Sequence, residues 1–289
     1  MGYSKNPLTR KALLGNQFDI KIKNVKVSES NLICVMEEVD DLSSRKQLPN
    51  FFGNQRFGSD RPVNHLAGKA LIQGKFKEAI KIILSNFSVN DDIDEYKVLI
   101  KELPIGNDIE YILLKNLIEH PKNYVRAIKN LPLYFQRFLI SAYQSYIFNK
   151  TLSLSILNDE FIDQIYDNDF FSYYSKEGIS LEVNRFSRLI PQRLNQQILM
   201  IPIVGYSFRN KNDRFSSLID DLLKDDDIST KDFYLREIPA ISTEGTFRPA
   251  PLLVNSFQWK VLDKNVINVK FNLNRGSYAT VFLREIMKK

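Results

Sequence analysis

The apolar positions of this chain change period as it runs. Asn16 to Val27 alternates Phe18, Ile20 and Ile22 with Asp19, Lys21 and Lys23, and that period of two predicts a strand with one buried face. From Ser28 to Ser44 the spacing turns helical, with Leu32, Val35, Met36 and Val39 on one stripe and Ser28 placed as N-cap. A second helix is expected after Asp60, a candidate cap, with Pro62 in its first turn and Val63, Leu66, Ala67, Ala70 and Leu71 on its apolar face. Gly74 ends that run. Further helices are predicted over Phe76–Phe87, Asp94–Leu103, Asp108–His120 and Asn123–Lys129, punctuated by Pro104, Gly106 and Pro121. His120 falls at a helix end, where it reads as a capping cation. The longest periodic segment is Pro132–Ile156, whose Leu139, Tyr143, Tyr146, Ile147 and Leu154 recur at three and four residues and mark a buried seam.

Beyond it, Asp159–Asp169 reads as an acidic loop, and Ile179–Phe186 and Gln197–Val204 read as strands. The second carries the continuous apolar run ILMIPIV of a fully buried position. Gly205 and Tyr206 suggest a turn, Phe215–Leu223 a helix, and Lys231–Glu237 a segment beyond an acidic run. Pro251–Leu262 and Val266–Leu273 form two strands joined by a hairpin turn at Asp263-Lys264-Asn265. Trp259 lies on the first of them, as a core residue rather than a stacking platform. Ser277 is placed to cap a last helix running to Lys289, with Tyr278 in its first turn. The fold class is therefore α+β. Strand-bearing flanks around a helix-rich middle suggest one domain inserted into another, with a first part over residues 1–75, an insertion over 76–249 and a C-terminal part over 250–289.

One stretch suits neither period. Asn50 to Gly58, NFFGNQRFG, packs three aromatics, two glycines, amides and an arginine into nine residues. Glycine in a helix costs about 1 kcal/mol relative to alanine, so an ordered loop is expected. Arginine offers a planar fork of donors and aromatic faces stack on unpaired bases, so the set suits a nucleobase and its phosphate. On composition alone a tight turn is the favoured reading, its phenylalanines filling a core and its arginine pairing with a carboxylate. Thr243 to Pro249, TEGTFRP, sets Arg248 just before a strand. Its G-x-x-R-P pattern is similar to a segment of the TruD family of tRNA pseudouridine synthases, which makes Arg248 a candidate RNA or active-site contact, and equally a surface or salt-bridged arginine.

Two further stretches bear on the choice. Tyr143 to Asn149 reads YQSYIFN, and Gly276 to Glu285 reads GSYATVFLRE. With NFFGNQRFG, and in this order, they resemble the TruD family of tRNA pseudouridine synthases, whose motifs look like NxFGxQRFG, SAYQSYxFN and LPxGSYATxxLRE. The likeness extends from Gly15, Asn16, Phe18 and Ile20 to the last helix. The family's nucleophilic aspartate lies in a G-x-K-D-[KR]-x-A-x-T-x-Q segment upstream of the NxFG loop. No stretch of these 289 residues matches it, and the chain is expected to begin just after it. Asp60 and Asp19 are nearest in sequence to the motifs, but neither has the family's context.

The resemblance implies a pseudouridine synthase catalytic domain with a mixed sheet, interrupted by a helix-rich α/β TRUD domain. It implies a reaction in tRNA, with uridine 13 the expected target, and no cofactor or metal. Asn50 would hydrogen-bond the uracil and Phe52 pack on it, while Tyr278 would stand where the family sets a ring over the target base. Gln55 and Arg56 would fix the loop or contact the RNA backbone, and Arg284 and Glu285 would pair near the site or cap the last helix. Gln144 and Asn149 would bond across the core or touch RNA. The other readings are a non-catalytic RNA-binding remnant and one half of a split enzyme, a separate chain supplying the missing segment.

Composition narrows the classes further. Lys and Arg number 40 against 34 Asp and Glu, a net charge of +6 that suits a polyanionic partner. Acidic residues cluster at Asp91, Asp92, Asp94 and Glu95 and again at Asp220, Asp221 and Asp225–Asp227, which leaves the remaining surface more basic. His65, His120 and Cys34 are too few for a histidine–cysteine metal site. A lone cysteine precludes an internal disulfide and fits a cytoplasmic protein. No apolar run reaches the ~18 residues that cross a bilayer, and no membrane partner is expected.

Overall fold

The computed structural model describes residues 13–58, 61–87, 92–175, 178–179, 183–185 and 196–288. The described residues fall into two compact units, one from within Met1–Gly53, Leu152–Ile201 and Phe247–Lys289, the other from within Asn54–Thr151 and Pro202–Thr246. These limits differ from those expected at 75 and 249. The helix after the NFFG loop packs within the second unit, because Gly68 meets the Leu139 backbone so closely that a Cβ would lie 2.0 Å from its carbonyl oxygen. Residues 152–201 join the first unit, where the Lys46 amine donates to the Gln197 carbonyl and the Gln47 amide to Asp163.

In the first unit, strand β1 (Gly15–Lys23) pairs antiparallel with a later strand of the same sheet, Phe18 opposite Phe271 and Ile20 opposite Val269. Helix α1 (Glu29–Ser44) follows, and the Ser28 hydroxyl caps it by accepting from the Asn31 amide at 3.3 Å. The expected mixed sheet is antiparallel in this layer. Its order is β1-β8-β7, with β7 (Val254–Asp263) and β8 (Val266–Asn274) forming the predicted hairpin. Its apolar face packs on α1 and on the last helix, α9 (Ala279–Met287), through Met36, Val39, Val269, Phe271 and Phe282. Trp259 is partly buried against this core.

The same unit holds most of a second sheet. Its strands are β2 (Phe170–Ser175), β3 (Gly178–Ile179), β4 (Asn184–Arg185), β5 (Gln197–Ile203) and β6 (Thr246–Pro249), in the order β3-β2-β5-β6 with β4 also on β2. Strand β2 was not legible in the sequence. Its run FFSYYS follows an acidic loop and shows no clean alternation, because Phe171 and Ser172 are both buried. The single strand expected over Ile179–Phe186 is two short pieces, and Phe186 lies outside the described residues.

The second unit is helical. It comprises α2 (Asn64–Ile72), α3 (Phe76–Ile83), α4 (Ile93–Glu102), α5 (Asp108–Glu119), α6 (Tyr124–Lys129), most of α7 (Leu133–Leu157) and α8 (Ser216–Asp225). Leu139, Tyr143 and Ile147 of α7 are buried with Leu113, Leu117, Ile219 and Phe233. Three local expectations change. Pro62 precedes α2 instead of opening it, and Val63 stands at the N-cap with no side-chain bond. Asp60 lies outside the described residues. Leu66, expected on the apolar face, is 43% exposed. The helix over Phe76–Phe87 is α3 followed by a 3-10 turn at Ser85–Phe87. His120 is the C-cap residue of α5.

Candidate functional site

The NFFG loop enters its site through an isolated β-bridge. The Asn50 amide donates to the Ala250 carbonyl at 2.8 Å and the Leu252 amide to the Leu48 carbonyl at 2.6 Å, around a bridge between Pro49 and Pro251. Ala250 in turn donates to Leu199 of β5 at 2.9 Å. Residues 48–50 are thereby fixed beside the end of β6, which carries Arg248. The two segments are about 200 positions apart in sequence, and strand-like pairing is what makes them neighbours.

Arg248 is the hub of the site. It is 7% exposed, and its guanidinium donates from Nε to the Asn50 carbonyl at 3.0 Å and from Nη1 to the Gly276 carbonyl at 2.9 Å. From Nη2 it donates to Asn50 Oδ1 at 2.8 Å. Its plane lies over the Phe52 ring, 4.0 Å from the centroid, and 6.0 Å from that of Tyr278. One side chain therefore ties the NFF segment to the GSY turn before α9 through carbonyls and ring faces. Arg248 is thus buried and not a surface residue, and the three oxygens named above are uncharged. A lysine has three donors on a point charge and could not span them.

Asn50 is 3% exposed and bonded on both ends of its amide. Its nitrogen donates to the Pro249 carbonyl at 3.1 Å, while Oδ1 accepts from Arg248 and from the Ser277 hydroxyl at 3.3 Å. An amide oxygen has two lone pairs, and both are taken. The Asn50 amide thereby ties the loop to β6 and to the turn before α9. Ser277, expected as the cap of α9, bonds Asn50 instead, and Tyr278 stands at the N-cap without a side-chain bond.

The ring pair is the remaining element. Phe52 is 8% exposed and meets the half-buried Tyr278 edge-on, centroids 6.1 Å apart at 64°. Gly53 makes this possible, since a Cβ there would lie 2.8 Å from Tyr278 Cδ1 and 3.0 Å from the Thr280 hydroxyl. Gly276 has φ of +87°, a left-handed conformation that lets its carbonyl turn to Arg248. Both glycines and Ser277 were missed as site residues. The glycines' only signal was their place inside the two motifs.

The second half of the loop belongs to the other unit. Asn54–Arg56 is a 3-10 turn in which Gln55 is exposed and Arg56 half-buried. Arg56 Nε donates to the Ser145 hydroxyl at 3.1 Å, and its guanidinium lies 5.5 Å from the Phe138 ring centroid, both on α7. Arg56 therefore anchors the loop. Next to it, Gln144 of the YQSYIFN motif donates to the Val204 carbonyl and to Thr243 Oγ1 at 3.3 Å, a bond across the core. Among the described residues no group of three His, Cys, Asp or Glu could hold a metal, and no helix is long and apolar enough to cross a membrane.

Comparison with known proteins fits these motifs. The model of the tRNA pseudouridine synthase D (TruD) family matches residues 1–286. The chain belongs to the TruD family. A relative from Methanosarcina mazei assigned to tRNA pseudouridine synthase D is 29% identical over all of this chain and 72% of its own length. One from Archaeoglobus fulgidus is 30% identical over all of this chain and 72% of its own. A solved structure from Methanosarcina mazei assigned to TruD superposes with a TM-score of 0.82 at 27% identity, covering 96% of this chain and 69% of that one. The TruD proteins are isomerases of uridine in tRNA, and the α+β fold is theirs.

Proposed function

We propose that this chain forms the base-binding part of a tRNA pseudouridine synthase of the D type, acting on uridine 13. Isomerisation breaks the bond between ribose C1′ and uracil N1, turns the base and joins C1′ to C5, while the C5 proton leaves and N1 gains one. Atoms balance with no oxidant or reductant. The target must leave its stack to be reached, so the protein has to offer the extruded base a ring face and a shaped wall. Phe52 and Tyr278 supply these. The observation that carries the reading is the Arg248 guanidinium bridging Asn50, Phe52 and Gly276, because it sets that ring pair on backbone carbonyls and not on a mobile side chain. Arg248, Asn50 and Ser277 are positioning residues, Gln55 and Arg56 hold or flank the loop, and Phe52 and Tyr278 face the base.

The nucleophilic aspartate is proposed to lie in sequence outside these 289 residues, since none of them matches the family's aspartate segment. The test is chemical labelling of pseudouridine in tRNA, read by primer extension. The 289-residue polypeptide alone is expected to leave uridine 13 unmodified. The protein isolated from its own cells is expected to convert it, with an intact mass above that of this sequence. Conversion by the 289-residue polypeptide would overturn the placement of the aspartate. Failure of the cellular protein to convert any uridine would overturn the enzymatic reading in favour of an RNA-binding remnant.

A further inference from the structure

A cavity of about 620 Å³ lies in the helical unit where α3 begins beside the start of α6. Four lysines line it, Lys75, Lys77 and Lys81 from α3 and Lys122 from the turn before α6, against a single carboxylate, Glu78. All four are exposed. Tyr124 forms one wall with the Lys77 amine 5.6 Å from its ring centroid, while Phe76, 7% exposed, anchors α3 in the core beneath. The floor is fixed, since Asn123 caps α6 by accepting from the Arg126 amide at 3.2 Å. The base-binding arrangement of the other unit uses none of these residues.

Four lysines against one carboxylate give the lining of this concavity a net positive charge. Like charges gathered there repel one another, and an anion bound among them relieves that repulsion. Lysine acts as a point charge with rotatable donors, which suits phosphate without fixing a base, and a tyrosine face adds sequence-tolerant contact with a sugar or base. We propose that this cavity is a phosphodiester-binding site that holds the backbone of the substrate RNA. The inference rests on the RNA-directed reading above and adds where part of the affinity arises. It makes this site the source of sequence-independent, salt-sensitive binding, with recognition of the uridine left to the Phe52–Tyr278 pair.

The test compares the native sequence with a variant carrying Lys75→Gln, Lys77→Gln, Lys81→Gln and Lys122→Gln, using an unmodified tRNA transcript over a series of salt concentrations. The four side chains are exposed, so thermal melting should be unchanged. The expected result is affinity at least about tenfold lower at 0.15 M salt and a salt slope smaller by roughly 2 to 4, near one per lost phosphate contact. Glu78→Gln should move affinity the other way. Unchanged affinity and slope in a folded quadruple variant would overturn the site. So would an unchanged RNA affinity with loss of binding to polyglutamate, which would assign the cavity to an acidic protein. Binding is read without catalysis, so a protein that binds through these lysines yet converts no uridine would leave this site standing while the enzymatic reading fell.

Discussion

At the scale of single residues the site depends on one buried guanidinium and two glycines. Arg248→Lys keeps the charge but cannot reach the Asn50 carbonyl, Asn50 Oδ1 and the Gly276 carbonyl together. Hydrogen bonds to charged groups contribute about 1.5–3 kcal/mol each, and losing part of the set should destabilise the first unit by about 3 kcal/mol. Chemical denaturation read from Trp259, which packs in that unit, checks it, and a variant within about 0.5 kcal/mol of the native protein would refute it. Gly53→Ala tests the ring pair separately. The new methyl would overlap Tyr278 Cδ1, so a loss of about 1–3 kcal/mol is expected. If the clash is with that ring, the cost should shrink in a Tyr278→Ala background, since residues in contact are not additive. Equal costs in both backgrounds would place the strain elsewhere. These roles were only half legible in the sequence. The motifs drew attention to Asn50, Phe52, Arg248 and Tyr278. That Asn50 spends its amide on the fold depends on contacts some 200 residues distant, which no local pattern encodes.

At the scale of elements, helix α7 shows how a motif can be structural. Its Tyr143 hydroxyl donates to Asp226 at 2.8 Å, and Asp226 also takes the Lys69 amine at 2.6 Å. Burial, and then the bond to that carboxylate, push the Tyr143 phenol far above its ordinary range. His65 of α2 stacks on Tyr146 at 4.7 Å and takes the Phe57 ring edge-on at 5.5 Å, with Nδ1 buried and unbonded. Burial lowers its pKa, with Asp226 opposing more weakly. A base whose folded pKa lies below its unfolded value of about 6.5 adds stability above that value, and loses it as pH falls through the folded pKa. The denaturation midpoint of the helical unit should therefore drop between pH 8 and 5, and His65→Phe, which keeps the stack and removes the proton, should flatten the drop. An identical pH profile in the variant would exclude His65 as its source. The sequence placed the α7 seam well because a period sustained over 25 residues averages out local exceptions. It placed the start of α2 poorly because Pro62 suits either the first turn or the residue before it.

At the scale of the whole molecule, the helices and the β7–β8 hairpin were legible, while the grouping of elements into compact units is set by contacts between them. Periodicity reports which face of an element is buried but not which partner buries it, and the partner decides that α2 and residues 152–201 belong where they do. The same distinction carries a prediction about opening. In the three-stranded sheet β8 is flanked on both sides, whereas β1 and β7 stand at its ends among the described residues. Every second residue of β8 from Ile267 to Leu273 is at most 2% exposed. On β1, by contrast, Asp19, Lys21 and Lys23 are exposed charges of the kind that keep an edge from pairing with another chain. Opening β8 would dismantle the whole layer, so its amides should exchange only with unfolding of that unit, while part of β1 exchanges by local fraying. Hydrogen exchange followed by mass spectrometry should find peptides over 266–274 the most protected of this sheet and those over 15–23 less so. If β1 proves as protected as β8, its outer edge is covered in solution, and a strand from outside the three-stranded layer has to be sought there.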